Sequence, residues 1–174
     1  MPNHTRLLAK RPVSAVSLGC MSISHGYGEK SSSKHSEIFL NKALDLGYTM
    51  LDTAAVYGHG HNESMIGEFI SQRRSEFFLA SKCGFGQKPD SEPNINGRPE
   101  YIRATCEASL QRLQTDHIDL YYLHRRDFNV PIEDSIGALA DLQCEGKIGA
   151  VGVSEISAAD LHKAHAEHPI SAIQ

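Results

Sequence analysis

Residues 51–63 read LDTAAVYGHGHNE: an apolar run closes on Asp52, a tyrosine follows five residues later at Tyr57, and Glu63 ends the stretch. Taken alone, a carboxylate leaving a buried run caps the next turn or helix. Three more apolar runs, however, close on a polar group: FFLAS before Lys82, LYYL before His124 and VGV before Ser154. Together these residue types can transfer a proton. A phenol has an unperturbed pKa near 10 and is a poor acid at neutral pH. An ammonium about 4 Å from the phenolate, at an effective dielectric constant of about 20, favours the phenolate by about 4 kcal/mol, so Lys82 would make Tyr57 a usable proton donor. Asp52 would keep Lys82 charged and oriented. His124, whose ordinary pKa lies near neutrality, would hydrogen-bond a substrate oxygen or relay a proton. A proton donor aimed at a carbonyl oxygen, with electrostatic stabilisation of the developing alkoxide, is what carbonyl reduction by hydride needs.

Those side chains meet only if the strands that carry them run in parallel. Strand-like runs at 15–20, 49–52, 77–81, 118–123 and 150–153, with another beginning near 171, alternate with helix-period segments. That alternation is the pattern of parallel βα units rather than of a sandwich or bundle. Helix signals fall at 34–45, after a serine run and before Gly47; at 63–74, with Asn62 as N-cap; and at 99–114, with Pro99 in the first turn. A fourth helix runs from Pro131 to a C′ glycine at Gly146, and a fifth opens on the capping-box pair Ser157 and Asp160. Ile102, Cys106, Ser109, Leu110 and Leu113 give the third helix one stripe to lay against a sheet. In a parallel αβ barrel all strand C-termini share one mouth, where sites are built. The long stretch CGFGQKPDSEPNING, residues 83–97, is read as a functional loop at that mouth. A closed eight-fold barrel needs about 250 residues. The 174 residues here are therefore expected to form a single partial-barrel domain of about five and a half βα units after a short N-terminal extension.

The composition narrows the class of partner. An apolar content of 40% without a biased tract fits one soluble globular domain. The net charge of −4, with no basic cluster beyond Arg73–Arg74 and Arg125–Arg126, argues against nucleic acid and for a small molecule. Cys20, Cys83, Cys106 and Cys144 lie apart with no C-x-x-C pair, as expected of reduced thiols in the cytoplasm; Cys83 stands out because it follows Lys82. The N-terminal MPNHTRLLAKRPVS lacks the apolar core of a secretory signal, and no run approaches a membrane helix. His59 and His61 have only Glu63 beside them, and His162, His165 and His168 drift around a helical turn, so no metal site is expected. GYG, GHG and GFG complete neither G-x-G-x-x-G nor a Walker pattern.

The run GYTMLDTAAVYGHGHNE, with Gly67 following in MIGEFI, resembles the signature of the aldo-keto reductase family. FFLASK, HIDLYYLH and EGKIGAVGVSE are similar to further family stretches in the same order, so the resemblance runs from about Val16 to the last residue. It implies a (β/α)8 TIM barrel, here in part, with a catalytic tetrad of Asp52, Tyr57, Lys82 and His124 reducing an aldehyde or ketone with NADPH. It further implies that Ser154, Glu155 and Gln174 face the nicotinamide carboxamide, where the family places Ser, Asn and Gln, and that Asp52 and the backbone at Gly19 approach the cofactor. The family grips the pyrophosphate and 2′-phosphate largely from its seventh and eighth strand units, beyond the residues present here. Pocket candidates are His25, Tyr27, Phe85 and Arg125. The rival expectation is an inactive barrel fragment that serves as a binding or assembly module. An open sheet exposes edges and interior, which predicts a homo-oligomer or pairing with a complementing C-terminal fragment.

Overall fold

The computed structural model describes residues 4–24, 32–86 and 94–174. It opens with an antiparallel hairpin, β1 (Thr5–Leu8) and β2 (Arg11–Ser14), that the sequence reading missed. Both turn residues, Ala9 and Lys10, have positive φ, the requirement of a type I′ turn, but neither is the Asn or Gly that signals one. There follow β3 (Leu18–Gly19), α1 (Ser33–Asp45), β4 (Met50–Asp52), α2 (His61–Ile70) and β5 (Phe78–Cys83). A small antiparallel pair, β6 (Phe85–Gly86) and β7 (Asn94–Ile95), precedes α3 (Pro99–Leu113) and β8 (Leu120–Leu123). The remainder is α4 (Ile132–Cys144), β9 (Val151–Val153), α5 (Ala158–Glu167) and β10 (Ile170–Ile173).

Six strands form one sheet in the order β3, β4, β5, β8, β9, β10, every neighbour parallel. Spatial order equals chain order, as in sequential units of a (β/α)8 barrel. The expected strand at 15–20 contracts to β3. The expected loop at 83–97 is in part strand, since β5 runs on through Cys83 and β6 pairs with β7.

Most helix punctuation behaves as its chemistry requires. Ser32 and Ser157 accept N-cap bonds from the backbone N–H groups of His35 and Asp160, Pro99 opens α3, and Gly146 follows α4 with φ of +78°. Asn62 is a correction. It lies inside α2, fully buried, and Gly60 occupies the cap position; α2 itself ends at Ile70 rather than 74, passing into a 3-10 segment.

The period of two along each strand sorts the core onto two faces. Met50, Phe78, Ala80, Leu120, Tyr122 and Ala150 form the inner cluster, closed by Val13 of β2. Leu51, Leu79, Tyr121, Leu123, Val151 and Val153 face the helices, chiefly Ile66, Ile102, Leu113, Ile136 and Leu139. Two glycines are fixed by close approach. A Cβ on Gly67 would lie 2.2 Å from the Arg112 carbonyl oxygen, so α2 can meet the end of α3 this closely only without a side chain there; one on Gly152 would lie 2.5 Å from the Tyr122 ring inside the sheet.

Candidate active site

The alternation that places Phe78, Ala80, Leu120, Tyr122 and Ala150 inside also assigns the next position of each strand to that face, and those positions carry Lys82, His124 and Ser154. Asp52 closes β4 in the same phase as Met50, and Gln174 follows β10 in the phase of Ala172. Ladder hydrogen bonds extend one residue past the strands and fix these backbones. His124 N–H donates to Cys83 O at 2.8 Å, Ser154 N–H to Leu123 O at 3.0 Å and Gln174 N–H to Val153 O at 3.0 Å.

Lys82 is the centre of the cluster and has no side-chain exposure. Its ammonium forms an ion pair with Asp52 Oδ1, and donates to Thr53 O at 2.8 Å and to the Tyr57 hydroxyl at 3.4 Å. An ammonium has three donors and no acceptor, so this set uses all three. The Tyr57 oxygen is an acceptor toward Lys82, which leaves its own O–H to donate elsewhere. Tyr57 itself stands on the turn after β4, its N–H bonded to Ala54 O at 3.0 Å.

His124 meets Tyr57 edge-on, ring centroids 6.1 Å apart, and Phe85 edge-on at 4.9 Å. Burial first, then the positive charges of Lys82 and Arg125, push its imidazole down to about 3. An imidazole pushed down that far is neutral at physiological pH, with one ring nitrogen a donor and the other an acceptor.

At the other side of the cluster Gln174, though exposed, donates from Nε2 to Asp52 Oδ2 at 3.1 Å. Its Oε1 remains an acceptor. Ser154 Oγ accepts from Arg125 Nη1 at 3.2 Å, which leaves the serine O–H to donate. Ser154 offers a hydroxyl donor and Gln174 an amide acceptor, the two kinds of group a primary carboxamide pairs with, so the residue types present would suit a nicotinamide. Glu155 takes no part in that pair: its side chain is 67% exposed and its carboxylate bonds Arg125 Nη2 at 2.6 Å. Gly19 is exposed, sits opposite Asp52 in register, and has open space where a Cβ would be. His25 and Tyr27 lie outside the described residues.

The sequence reading missed one contributor and under-read two others. Thr53 lends its carbonyl to Lys82. Asn62 accepts from Thr53 Oγ1 and donates to Cys20 O and Ser24 Oγ, each at 2.7 Å, tying the ends of β3 and β4 to α2. An Asn ahead of an apolar run reads as a cap, which hid this bridge. Arg125 was visible only as a pocket residue, and its pairing is tertiary. Cys83, singled out for its place after Lys82, is buried with its thiol pushed up by burial; Cys20 is likewise pushed up to about 12, so neither is a ready thiolate. Among the described residues no group of three or more His, Cys, Asp or Glu side chains could hold a metal, and no helix is long and apolar enough to cross a membrane.

Residues 15–174 match the family model described as the Aldo/keto reductase family. The chain belongs to that family. It is 42% identical over 173 residues to the aldo-keto reductase yakc [NADP(+)] of Schizosaccharomyces pombe, covering 98% of this chain and 51% of that protein. A probable aldo-keto reductase 1 of Glycine max is 39% identical over 163 residues, covering 93% of this chain and 47% of its own length. Among solved structures, the glycerol dehydrogenase AKR11B4 of Gluconobacter oxydans superposes with a TM-score of 0.89 at 31% identity, over 100% of this chain and 55% of that one. The chain thus spans about half the length of the curated relatives it matches.

Proposed function

We propose that this chain carries the proton-transfer site of an NADPH-dependent reductase of aldehydes or ketones, with Tyr57 as the acid. The observation that carries the reading is the Lys82 ammonium, whose three donors are committed to Asp52, Thr53 and Tyr57. Because the Tyr57 oxygen accepts from Lys82, its proton is free for a carbonyl oxygen, and the ammonium stabilises the phenolate left behind. Asp52 is the counter-ion of that buried ammonium. The neutral His124 ring orients the carbonyl by hydrogen bonding. NADPH, when bound, would supply the hydride. Ser154 and Gln174 would hold its carboxamide, and Asp52 and the backbone at Gly19 would line the same site. The NADP(+) in the name of the yeast relative supports the choice of cofactor, and four cysteines with no disulfide among the described residues support a cytoplasmic setting.

The test is a titration of the chain with NADPH, followed by nicotinamide fluorescence, beside Tyr57→Phe. Saturable binding by both, with turnover of an aldehyde panel falling by about 10²- to 10⁴-fold in Tyr57→Phe, is expected from loss of a general acid. Binding without any turnover in the parent chain would refute the catalytic reading.

A second reading is favoured by the sheet edges. Among the described residues β3 and β10 each have one neighbour, and Val16 just before β3 and Ile173 within β10 are 67% and 60% exposed. Such edges recruit strands, which supports self-association or capture of a complementing C-terminal fragment. A monodisperse 19.1 kDa particle in size-exclusion chromatography with light scattering would exclude self-association.

A further inference from the structure

Arg125 joins three of the strand ends that build the site. Its Nη1 donates to the His124 carbonyl at 2.7 Å and to Ser154 Oγ at 3.2 Å, and its Nη2 donates to Glu155 Oε1 at 2.6 Å. The guanidinium also lies over the Phe85 ring, 5.6 Å from its centroid, and that ring packs edge-on against His124. One planar donor thus touches the segments after β5, β8 and β9.

The consequence for the site comes from donor and acceptor counting. Arginine only donates, so Ser154 Oγ must accept and its proton is turned to other partners. Glu155, next to it, holds a backbone φ of +46°, a left-handed conformation that is unfavourable for a residue with a side chain. Two bonds hold it there: its N–H donates to Gln174 O at 3.0 Å, and its carboxylate meets Arg125. A carboxylate released from that pair, one residue from Ser154, would compete as an acceptor for the serine proton and set its own oxygens against the carbonyl oxygen of an amide bound there.

We propose that Arg125 is a positioning residue, a latch that fixes Ser154 as a donor and holds the Glu155 carboxylate outside the cofactor face, so that the site keeps a neutral, amide-recognising surface. This rests on the NADPH reading above. It explains how a glutamate is accommodated beside Ser154: its charge is matched by Arg125.

The experiment is a double-mutant cycle read by NADPH fluorescence titration at low ionic strength, on the parent chain, Arg125→Ala, Glu155→Gln and the double variant. Arg125→Ala is expected to bind about five- to tenfold more weakly, an effect on the scale of one partly exposed ion pair and one hydrogen bond. In the Glu155→Gln background the same change should cost less than half of that factor, because no carboxylate is left to release. An equal loss in both backgrounds, or no loss in either, overturns the latch while leaving the cofactor reading intact. Absence of saturable binding in the parent chain overturns the cofactor reading and the latch with it. If Arg125→Ala lacks a native far-UV spectrum, Arg125→Lys replaces it: lysine can meet Glu155 or Ser154 but not both with one planar fork, and its smaller loss must again shrink when Glu155 is replaced by Gln.

Discussion

Gln174 Nε2 bonds Asp52 Oδ2 at 3.1 Å although three strands of the sheet, β9, β8 and β5, separate β10 from β4. In a flat sheet, four spacings of about 4.8 Å would hold those strand ends about 19 Å apart. The bond exists because the six strands curl, and the curl gathers their C-terminal residues around Lys82. Curvature here is a property of the site as well as of the fold.

Gln174→Glu tests that contact. It exchanges an amide donor for a second carboxylate beside Asp52, and like charges at hydrogen-bond distance resist joint ionisation. Gln174 is exposed, so the expected loss at pH 7 is modest, about 1 kcal/mol. Once protonated, the introduced carboxyl group can donate again, so the deficit should close as the pH falls through the carboxylate range. Urea midpoints of both proteins at pH 7 and pH 5 would reveal it; a deficit independent of pH would mean that Gln174 does not face Asp52 in solution.

Lys82→Met removes one partner of a buried ion pair and strands the other. The expected destabilisation is about 3 to 5 kcal/mol, because Asp52 is then a buried charge without its counter-ion. Adding Asp52→Asn should recover a large part, since the remaining groups are neutral. Equal urea midpoints for the single and double variants would show that the two residues are not an energetic unit.

The sheet order and the polar strand ends could be read in advance because both follow from local pattern: apolar runs with a period of two, each closing on Asp52, Lys82, His124 or Ser154. Contacts set by tertiary placement could not. The I′ turn at Ala9 and Lys10 carries no turn signal, and its strands are held through β2 packing Val13 under the barrel. Arg125 and Glu155 are 30 residues apart in the chain, and nothing in either neighbourhood announces their pairing. The histidine was found, but its protonation state was not, because that depends on burial and on the charges of Lys82 and Arg125.

His124 gives a pH prediction of definite sign. Its folded-state value, pushed down to about 3, lies below the ordinary 6.5. Between those limits the unfolded chain binds a proton that the folded chain refuses, so folding weakens as the pH falls, by up to about 1.4 kcal/mol per pH unit. Stability from this source is intact above pH about 6.5 and lost progressively below it. The parent chain should therefore lose more stability between pH 6.5 and pH 4.5 than His124→Gln does, measured by urea denaturation. Parallel losses in the two proteins would mean that the ring titrates as a solvated histidine.

Asn62→Asp separates a bridge from a cap. Aspartate is as good an N-cap as asparagine, so if Asn62 merely capped α2 the substitution would be neutral. In its observed place the side chain is fully buried and its Nδ2 donates to Cys20 O and Ser24 Oγ, both at 2.7 Å. A carboxylate of the same shape only accepts. It would set oxygen against the Cys20 carbonyl and bury a charge with no counter-ion among these partners. The expected cost is about 2 to 3 kcal/mol, the penalty for unsatisfied buried groups, and the proton that relieves it should raise stability relative to the parent as the pH drops toward 5. Because the bridge joins the ends of β3 and β4 to α2, the same variant should bind NADPH more weakly while still unfolding in a single transition. A neutral effect on the urea midpoint at pH 7 would return Asn62 to the role of a helix cap and leave the alignment of Asp52 to the sheet alone.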